Sequence, residues 1–253
     1  MTTDQRSTRV IGYLCALGAG ATWGTTGPLS TGLYSLMPAT SIGFWRVLIG
    51  TVALVIWGVL FRRDLFRADR RGWLLVGLGG GAMVALFEIA YQFAIGGVGV
   101  AGGLLSALSY ALTSLMGRYA APRYGAVKVL FLEAVGGVVL IWISLAIWGR
   151  PPTVPPSAAA WRGLFGLAAG SVIAANILFF GAMKRIEAAP ASVAATIEPV
   201  VGAVLALLLF GQRLTGLGWI GLLMVVSGVA AGYLLEGLKQ PLDPDVEEAA
   251  RPA

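Results

Sequence analysis

Residues 41–71 read SIGFWRVLIGTVALVIWGVLF followed by RRDLFRADRR. The first part, Ser41–Phe61, carries one charge, Arg46, and is otherwise apolar or small; the second part carries five arginines and two aspartates. A helix rises about 1.5 Å per residue, so roughly 20 apolar residues cross a hydrocarbon core about 30 Å thick. Ser41–Phe61 has that length. It does not alternate as the strand of a membrane barrel would. A helix also satisfies its own backbone groups in lipid, where water is absent.

The same rhythm repeats along the chain. Apolar runs cover Val10–Ser30, Ser41–Phe61, Gly72–Ile95, Val100–Gly117, Val127–Trp148, Gly163–Met183, Pro190–Phe210 and Gly216–Leu235. The expected fold is therefore all-α, a polytopic membrane helix bundle of about eight transmembrane helices. Composition agrees. Of 253 residues, 57% are hydrophobic and 12% charged, whereas soluble domains are about a quarter charged. The mean hydropathy is +0.82. The first run is longer than the core of a signal peptide, so it is expected to stay as an uncleaved helix.

The net charge is +6. On a soluble chain that would point to nucleic acid; here the cations sit in short loops, and no nucleic-acid partner is expected. Their placement gives a topology. Arg6 and Arg9 precede run 1, and Arg62, Arg63, Arg67, Arg70 and Arg71 join runs 2 and 3. Arg118, Arg123 and Lys128 join runs 4 and 5, Lys184 and Arg185 join runs 6 and 7, and Lys239 and Arg251 follow run 8. Only Arg150, Arg162 and Arg213 lie on the other side. The expectation is a multi-pass protein of the cell (inner) membrane with both termini cytoplasmic. The proline-rich stretch Pro151–Pro156 is then an external loop, and residues 240–253 a disordered cytoplasmic tail.

Several chemistries drop out. There is no histidine and a single cysteine, Cys15. A Ser-His-Asp triad, a His-based zinc site and an intrachain disulfide are excluded. No cofactor is expected, and no enzyme activity.

The runs also repeat. At one constant offset Trp23 meets Tyr110, Phe44 meets Phe131, Arg46 meets Glu133 and Gly50 meets Gly137. At an offset two residues longer, Gly77-Leu78 meets Gly166-Leu167, Gly81 meets Gly170 and Tyr91 meets Phe180. The order of matches across three successive runs divides the chain into a first unit, residues 1–99 with three spans, and a second, residues 100–239 with five. Three is odd, so the second unit enters the membrane from the opposite side. The result is an inverted repeat, three plus five, as in many secondary transporters.

Six motifs in order carry a resemblance to a known family: Ala21-Thr22-Trp23-Gly24, Phe44-Trp45-Arg46, Tyr91-Gln92-Phe93-Ala94, Ala191-Ser192-Val193-Ala194-Ala195, Glu198-Pro199-Val200-Val201 and Leu209-Phe210-Gly211-Gln212-Arg213-Leu214. Together they resemble an EamA-type member of the drug/metabolite transporter superfamily. The resemblance implies a five-plus-five bundle that moves small solutes, and it implies two departures in this chain. About two helices are missing from the first repeat, and Gln212 stands where the family often has glutamate.

Four ionisable residues fall inside runs: Arg46, Glu88, Glu133 and Glu198. Such residues face protein or a wet cavity, because a charge at the bilayer centre costs about 2.5–3.5 kcal/mol on insertion scales. Arg46 and Glu88 lie at similar depths, about 7 and about 10 Å from the outer ends of their runs. Either they pair, or Arg46 snorkels and Glu88 is neutral and hydrogen-bonded. Glu133 is read equally as a cation or proton site and as a structural hydrogen bond. Glu198 lies nearest the midplane and precedes Pro199, which cannot donate to the Ala195 carbonyl; Pro28 leaves the Gly24 carbonyl in the same position. Glu198 is therefore expected to matter more for transport than Glu133. Trp23, Tyr91, Tyr110 and Asn176, with Trp45, complete the candidate pathway, against packing as the ordinary role of membrane aromatics. The pairs Gly20/Gly24, Gly77/Gly81, Gly166/Gly170 and Gly228/Gly232 permit close helix packing.

The expected function is a membrane transporter of metabolites, amino acids or drug-like compounds, exporting by alternating access. The alternative is a non-transporting partner subunit or an inactive truncated paralogue. The expected partners are the lipid bilayer and a small-molecule solute. A homodimer through the first three runs would restore the cover that the missing helices no longer give to Arg46 and Glu88.

Overall fold

Proline and threonine set where the first long helix ends. In the computed structural model, which describes residues 3–94 and 99–239, α1 (Thr3–Gly24) stops at Thr25 and α2 (Thr26–Leu33) resumes at once. Pro28 has no amide hydrogen for the Gly24 carbonyl. The chain tightens instead: the Thr25 amide donates to the Thr22 carbonyl at 3.2 Å, and the Thr25 hydroxyl donates to the same oxygen at 2.7 Å. The run expected as one helix over Val10–Ser30 is thus two.

The remaining elements follow with short connections. They are α3 (Ala39–Phe61), a 3₁₀ turn (Arg63–Phe66), a π-helical stretch (Gly72–Gly80) running into α4 (Gly81–Phe93), α5 (Val100–Tyr124), α6 (Ala126–Ile147), α7 (Ala158–Leu167), a second π-helical stretch (Ala168–Ala174), α8 (Ala175–Met183), α9 (Ala188–Ala195), α10 (Glu198–Phe210) and α11 (Gly216–Lys239). No strand occurs among the described residues. Among the described residues six helices are long and apolar enough to cross a membrane: Ala39–Phe61, Gly72–Phe93, Val100–Tyr124, Ala126–Ile147, Ala158–Met183 and Pro190–Phe210; a further apolar stretch, Gly216–Gly228, is shorter. The protein is a polytopic all-α membrane bundle. The fourth run extends to Tyr124, beyond the Gly117 expected, and passes Pro122 in its last turns before Gly125 (φ +81°) reverses the chain. Ile95 and the expected tail 240–253 lie outside the described residues.

Two compact units divide the chain. One holds the residues up to Thr25 with those from Ala175 onward; the other is Thr26–Ala174. In the second unit α3 packs on α4 and α6, α4 packs on α5, and α7 packs on α2 and α3. Phe44, Val47, Ala85, Ile141 and Leu145 form one buried cluster of this unit, and Leu33, Ile42, Leu164 and Leu167 belong to another.

Glycine lets α6 approach the start of the third span. A Cβ built on Gly136 would lie 1.7 Å from the Gly77 carbonyl oxygen, and one on Gly81 would lie 2.6 Å from the Gly136 carbonyl carbon. The four-residue spacing of Gly77 and Gly81 is therefore a helix crossing, held by backbone contact. Gly166 and Gly228 share that spacing pattern, yet nothing lies within 4 Å of a Cβ on either.

The first unit repeats the break seen at Thr25. Here α9 stops before Thr196, whose hydroxyl donates to the Val193 carbonyl at 2.5 Å, and α10 begins with Pro199 in its first turn. Thr25-Thr26-Gly27-Pro28 and Thr196-Ile197-Glu198-Pro199 share a threonine three residues before proline. The freed carbonyls point at glycines. A Cβ on Gly20 would lie 2.3 Å from the Ala195 oxygen, and one on Gly202 would lie 3.4 Å from the Gly24 oxygen. Two broken helices thus cross beside their breaks.

Candidate functional site

The polar centre of the Thr26–Ala174 unit is assembled from α2, α3 and α4. Arg46 of α3 and Glu88 of α4 form an ion pair, Arg46 Nη2 donating to Glu88 Oε1, and each residue is 5% exposed. Of the two readings of these depths, the structure takes the pair. Gly43, one turn before Arg46, makes room: a Cβ there would lie 3.1 Å from Gln92 Cγ and 3.4 Å from Glu88 Oε2. The Arg46 guanidinium also lies 5.7 Å from the Tyr91 ring centroid, a cation–π distance. Tyr34, just past α2, donates its hydroxyl to Gln92 Oε1 at 3.1 Å. That bond orients the amide so that its Nε2 is free to donate.

Part of the site's hydrogen-bonding capacity is unused. Arg46 Nε, Glu88 Oε2, Gln92 Nε2, Thr26 Oγ1 and Ser30 Oγ are buried without a hydrogen-bond partner. Each unpaired buried polar group costs about 1–3 kcal/mol. Five on neighbouring elements are an arrangement that packing alone does not require. They comprise donors from an amide, a guanidinium and two hydroxyls, and one carboxylate acceptor.

The other candidates divide between the units. Phe87 stacks on Tyr91 and meets Tyr110 with centroids 5.5 Å apart, so Tyr110, although exposed, belongs to the same aromatic row as Tyr91. Trp45 is turned away: its indole donates to the Thr153 carbonyl at 2.8 Å and its ring packs edge-on against Trp161. Glu133 on α6 is 6% exposed and its Oε1 has no hydrogen-bond partner. In the first unit, Trp23 packs at 5.2 Å on Phe179, Asn176 is half-buried on α8, and Glu198 is exposed in the first turn of α10 beside half-buried Pro199. Among the described residues no group of His, Cys, Asp and Glu is arranged to hold a metal.

Sequence reasoning placed Arg46, Glu88 and Tyr91 but passed over Tyr34, Thr26 and Ser30. Thr26 and Ser30 share a helix face through their four-residue spacing, a signal hidden because the break at Thr25 had not been drawn. Within one chain Arg46, Glu88 and Gln92 are all buried.

Residues 10–101 and 97–233 each match the EamA-like transporter family, so that almost the whole bundle is covered. The chain belongs to that family. An uncharacterized transporter of Archaeoglobus fulgidus is 24% identical over 151 residues, covering 60% of this chain and 53% of that protein. The chain therefore spans about half the length of the curated relative it matches. No solved structure matches it. In this EamA-like transporter family member the Arg46–Glu88 pair is buried inside the Thr26–Ala174 unit.

Proposed function

We propose that this chain is a secondary active transporter that exports small solutes, whether metabolites, amino acids or drug-like compounds, by alternating access across the cell membrane. The observation that carries the reading is the buried Arg46–Glu88 pair, with unpartnered polar atoms on both its members and on Gln92, Thr26 and Ser30. Charge and unused hydrogen-bonding groups in an apolar bundle are expected where a polar solute passes. Eight spans, with both termini cytoplasmic, follow from the cation distribution. The inverted repeat is supported by two successive matches to one family, at residues 10–101 and 97–233.

Flux tests the reading. Purified protein in proteoliposomes is assayed against a metabolite panel, with and without a pH gradient. Uptake or efflux above protein-free vesicles is expected for at least one solute, and Glu88→Gln lowers it per amount of folded protein in the vesicles. Absence of flux across the panel, with folded protein in the vesicles, overturns it.

A second reading is a non-transporting partner subunit. It is favoured by the shorter first family match, which falls short of the second by about 45 residues, the length of two spans with their connections. In that case substitutions at Glu88, Glu133 and Glu198 leave the cellular phenotype unchanged.

A further inference from the structure

Glu133 is separate from the polar centre and differs from it in kind. It lies about 10 Å along α6 from Ala126, at 1.5 Å per residue. Its side chain rests on the π-helical stretch Gly72–Gly80. A Cβ on Gly80 would lie 2.7 Å from Glu133 Cγ and 2.9 Å from Oε1, so the glycine is what admits the carboxyl. Single π-turns recur at functional positions in helices. The carboxyl is buried, and Oε1 has no hydrogen-bond partner.

The titratable groups whose side chains are described on the elements around α6 are otherwise engaged or exposed. Arg46 on α3 pairs with Glu88 on α4. Tyr91 on α4 stacks on Phe87. On the 3₁₀ turn, Arg63 reaches the Val59 carbonyl and Asp64 accepts from Arg62. On α5, Arg123 and Tyr124 both donate to Asp69, and Tyr110 and Tyr119 are exposed. Lys128, at the start of α6, donates to the Arg67 carbonyl. Among the described residues no cation pairs with Glu133. On the arginine-rich side of Glu133 the way is closed by the buried cluster Leu65, Val76, Ala120, Val129, Phe131 and Leu132. Leu65 comes from the 3₁₀ turn and is fully buried, and the neighbouring Phe66 packs edge-on against Phe131 at 5.2 Å.

A carboxylate whose buried oxygen has no hydrogen-bond partner among the described residues is disfavoured in such surroundings. The neutral acid fits the closed arrangement, and the ion fits only an opened one. We propose that Glu133 is a proton-binding site, distinct from the Arg46–Glu88 pair, which holds its proton while the Leu65 cluster is closed and releases it to water on the arginine-rich side when the 3₁₀ turn moves away. On release the carboxyl O–H bond breaks, water takes the proton as hydronium, and a hydrated carboxylate remains; closing reverses each change. This ranks Glu133 above Glu198 as the coupling residue, the opposite of the order expected from depth in the membrane. The use of the proton to drive solute rests on the transporter reading, whereas the binding site does not.

The test needs no solute. Infrared difference spectra between acid and alkaline pH are recorded for protein in lipid vesicles, free of sodium. Wild type and Glu88→Gln lose one carboxylic-acid carbonyl signal on alkalinisation. Glu133→Gln lacks that signal, and Glu133→Asp shifts it, which secures the assignment if the glutamine variant fails to fold. A Glu133 signal that persists at every pH, or none at any pH, overturns the proposal. Loss of the signal on adding sodium at constant acid pH also overturns it, in favour of a sodium site. A titrating signal in vesicles that carry no solute flux counts against the transporter reading and leaves the proton site standing.

Discussion

Arg46 of α3 and Glu88 of α4 are paired through one nitrogen and one oxygen, while Arg46 Nε and Glu88 Oε2 face no partner. Each residue is half committed to the fold and half available. Removing one member of a buried pair leaves the other charge uncompensated, at about 3–5 kcal/mol. Replacing both with apolar groups removes that penalty. Arg46→Met alone is therefore expected to lower the thermal stability of the detergent-purified protein strongly, and Arg46→Met with Glu88→Met to recover most of the loss. Solute flux is absent from both. A double variant no more stable than the single one would show that the pair is not an energetic unit.

Topology is testable at two exposed positions. Val154, 70% exposed, follows Thr153, whose amide and hydroxyl donate to Ser41 Oγ, so the proline-rich loop is tied to the start of α3. Arg67 is exposed in the arginine-rich loop beyond the opposite end of α3. In a Cys15→Ser background, an impermeant thiol reagent applied to whole cells should modify Val154→Cys and spare Arg67→Cys. The reverse pattern would invert the assignment drawn from the positive-inside rule.

Acid sensitivity should trace in part to Asp69. Its carboxylate accepts from the Tyr124 hydroxyl at 2.7 Å, from the Gly72 amide at 2.8 Å and from Arg123 Nη2 at 2.6 Å. The Tyr124 and Gly72 bonds, with the nearby arginine, hold it below the ordinary value of 3.8. A depressed folded value means that the carboxylate stabilises the fold fully above the ordinary value, and that this contribution is lost as the pH falls below it. Asp69→Asn should be less stable than wild type at neutral pH, and the difference should shrink in acid. Melting curves across a pH series measure it; a difference that stays constant into acid would mean the charge of Asp69 does not matter.

The apolar runs were legible because each one had to be apolar for its whole length, and the cations between them because loops must be wet. Depth alone made the Arg46–Glu88 contact one of two readings, since both residues lie within a few turns of the same membrane face, and the ion pair decides between them. The breaks were less so. Pro28 and Pro199 announced freed carbonyls, but the stopping points at Thr25 and Thr196 depend on hydroxyls donating back along the helix, which periodicity does not register. Tyr34 reaches Gln92 across 58 positions of sequence, and no local pattern marks it. The π-helical widening at Gly72–Gly80 arises where Glu133 and Gly136 press on the helix, a contact between segments far apart in sequence.

The crossing of the two broken helices is asymmetric, and that asymmetry makes a prediction. Both freed carbonyls face glycine, yet the clearances differ: 2.3 Å from a Cβ on Gly20 to the Ala195 oxygen, against 3.4 Å from a Cβ on Gly202 to the Gly24 oxygen. The nearest atoms to Gly20 are all backbone of Ala195, which has no rotamer by which to yield. A methyl there must push α1 and α9 apart, with an overpacking cost of about 1–3 kcal/mol or more. At Gly202 a methyl makes an ordinary van der Waals contact and removes glycine's flexibility inside α10, worth about 0.5–1 kcal/mol in favour of alanine. Gly20→Ala is thus expected to unfold at lower temperature and to lose flux, while Gly202→Ala keeps or gains stability. Thermal melts of the two variants, purified side by side, decide the matter. Equal melting temperatures would mean that the helices do not meet at their breaks, and the glycines opposite the two freed carbonyls would then be incidental.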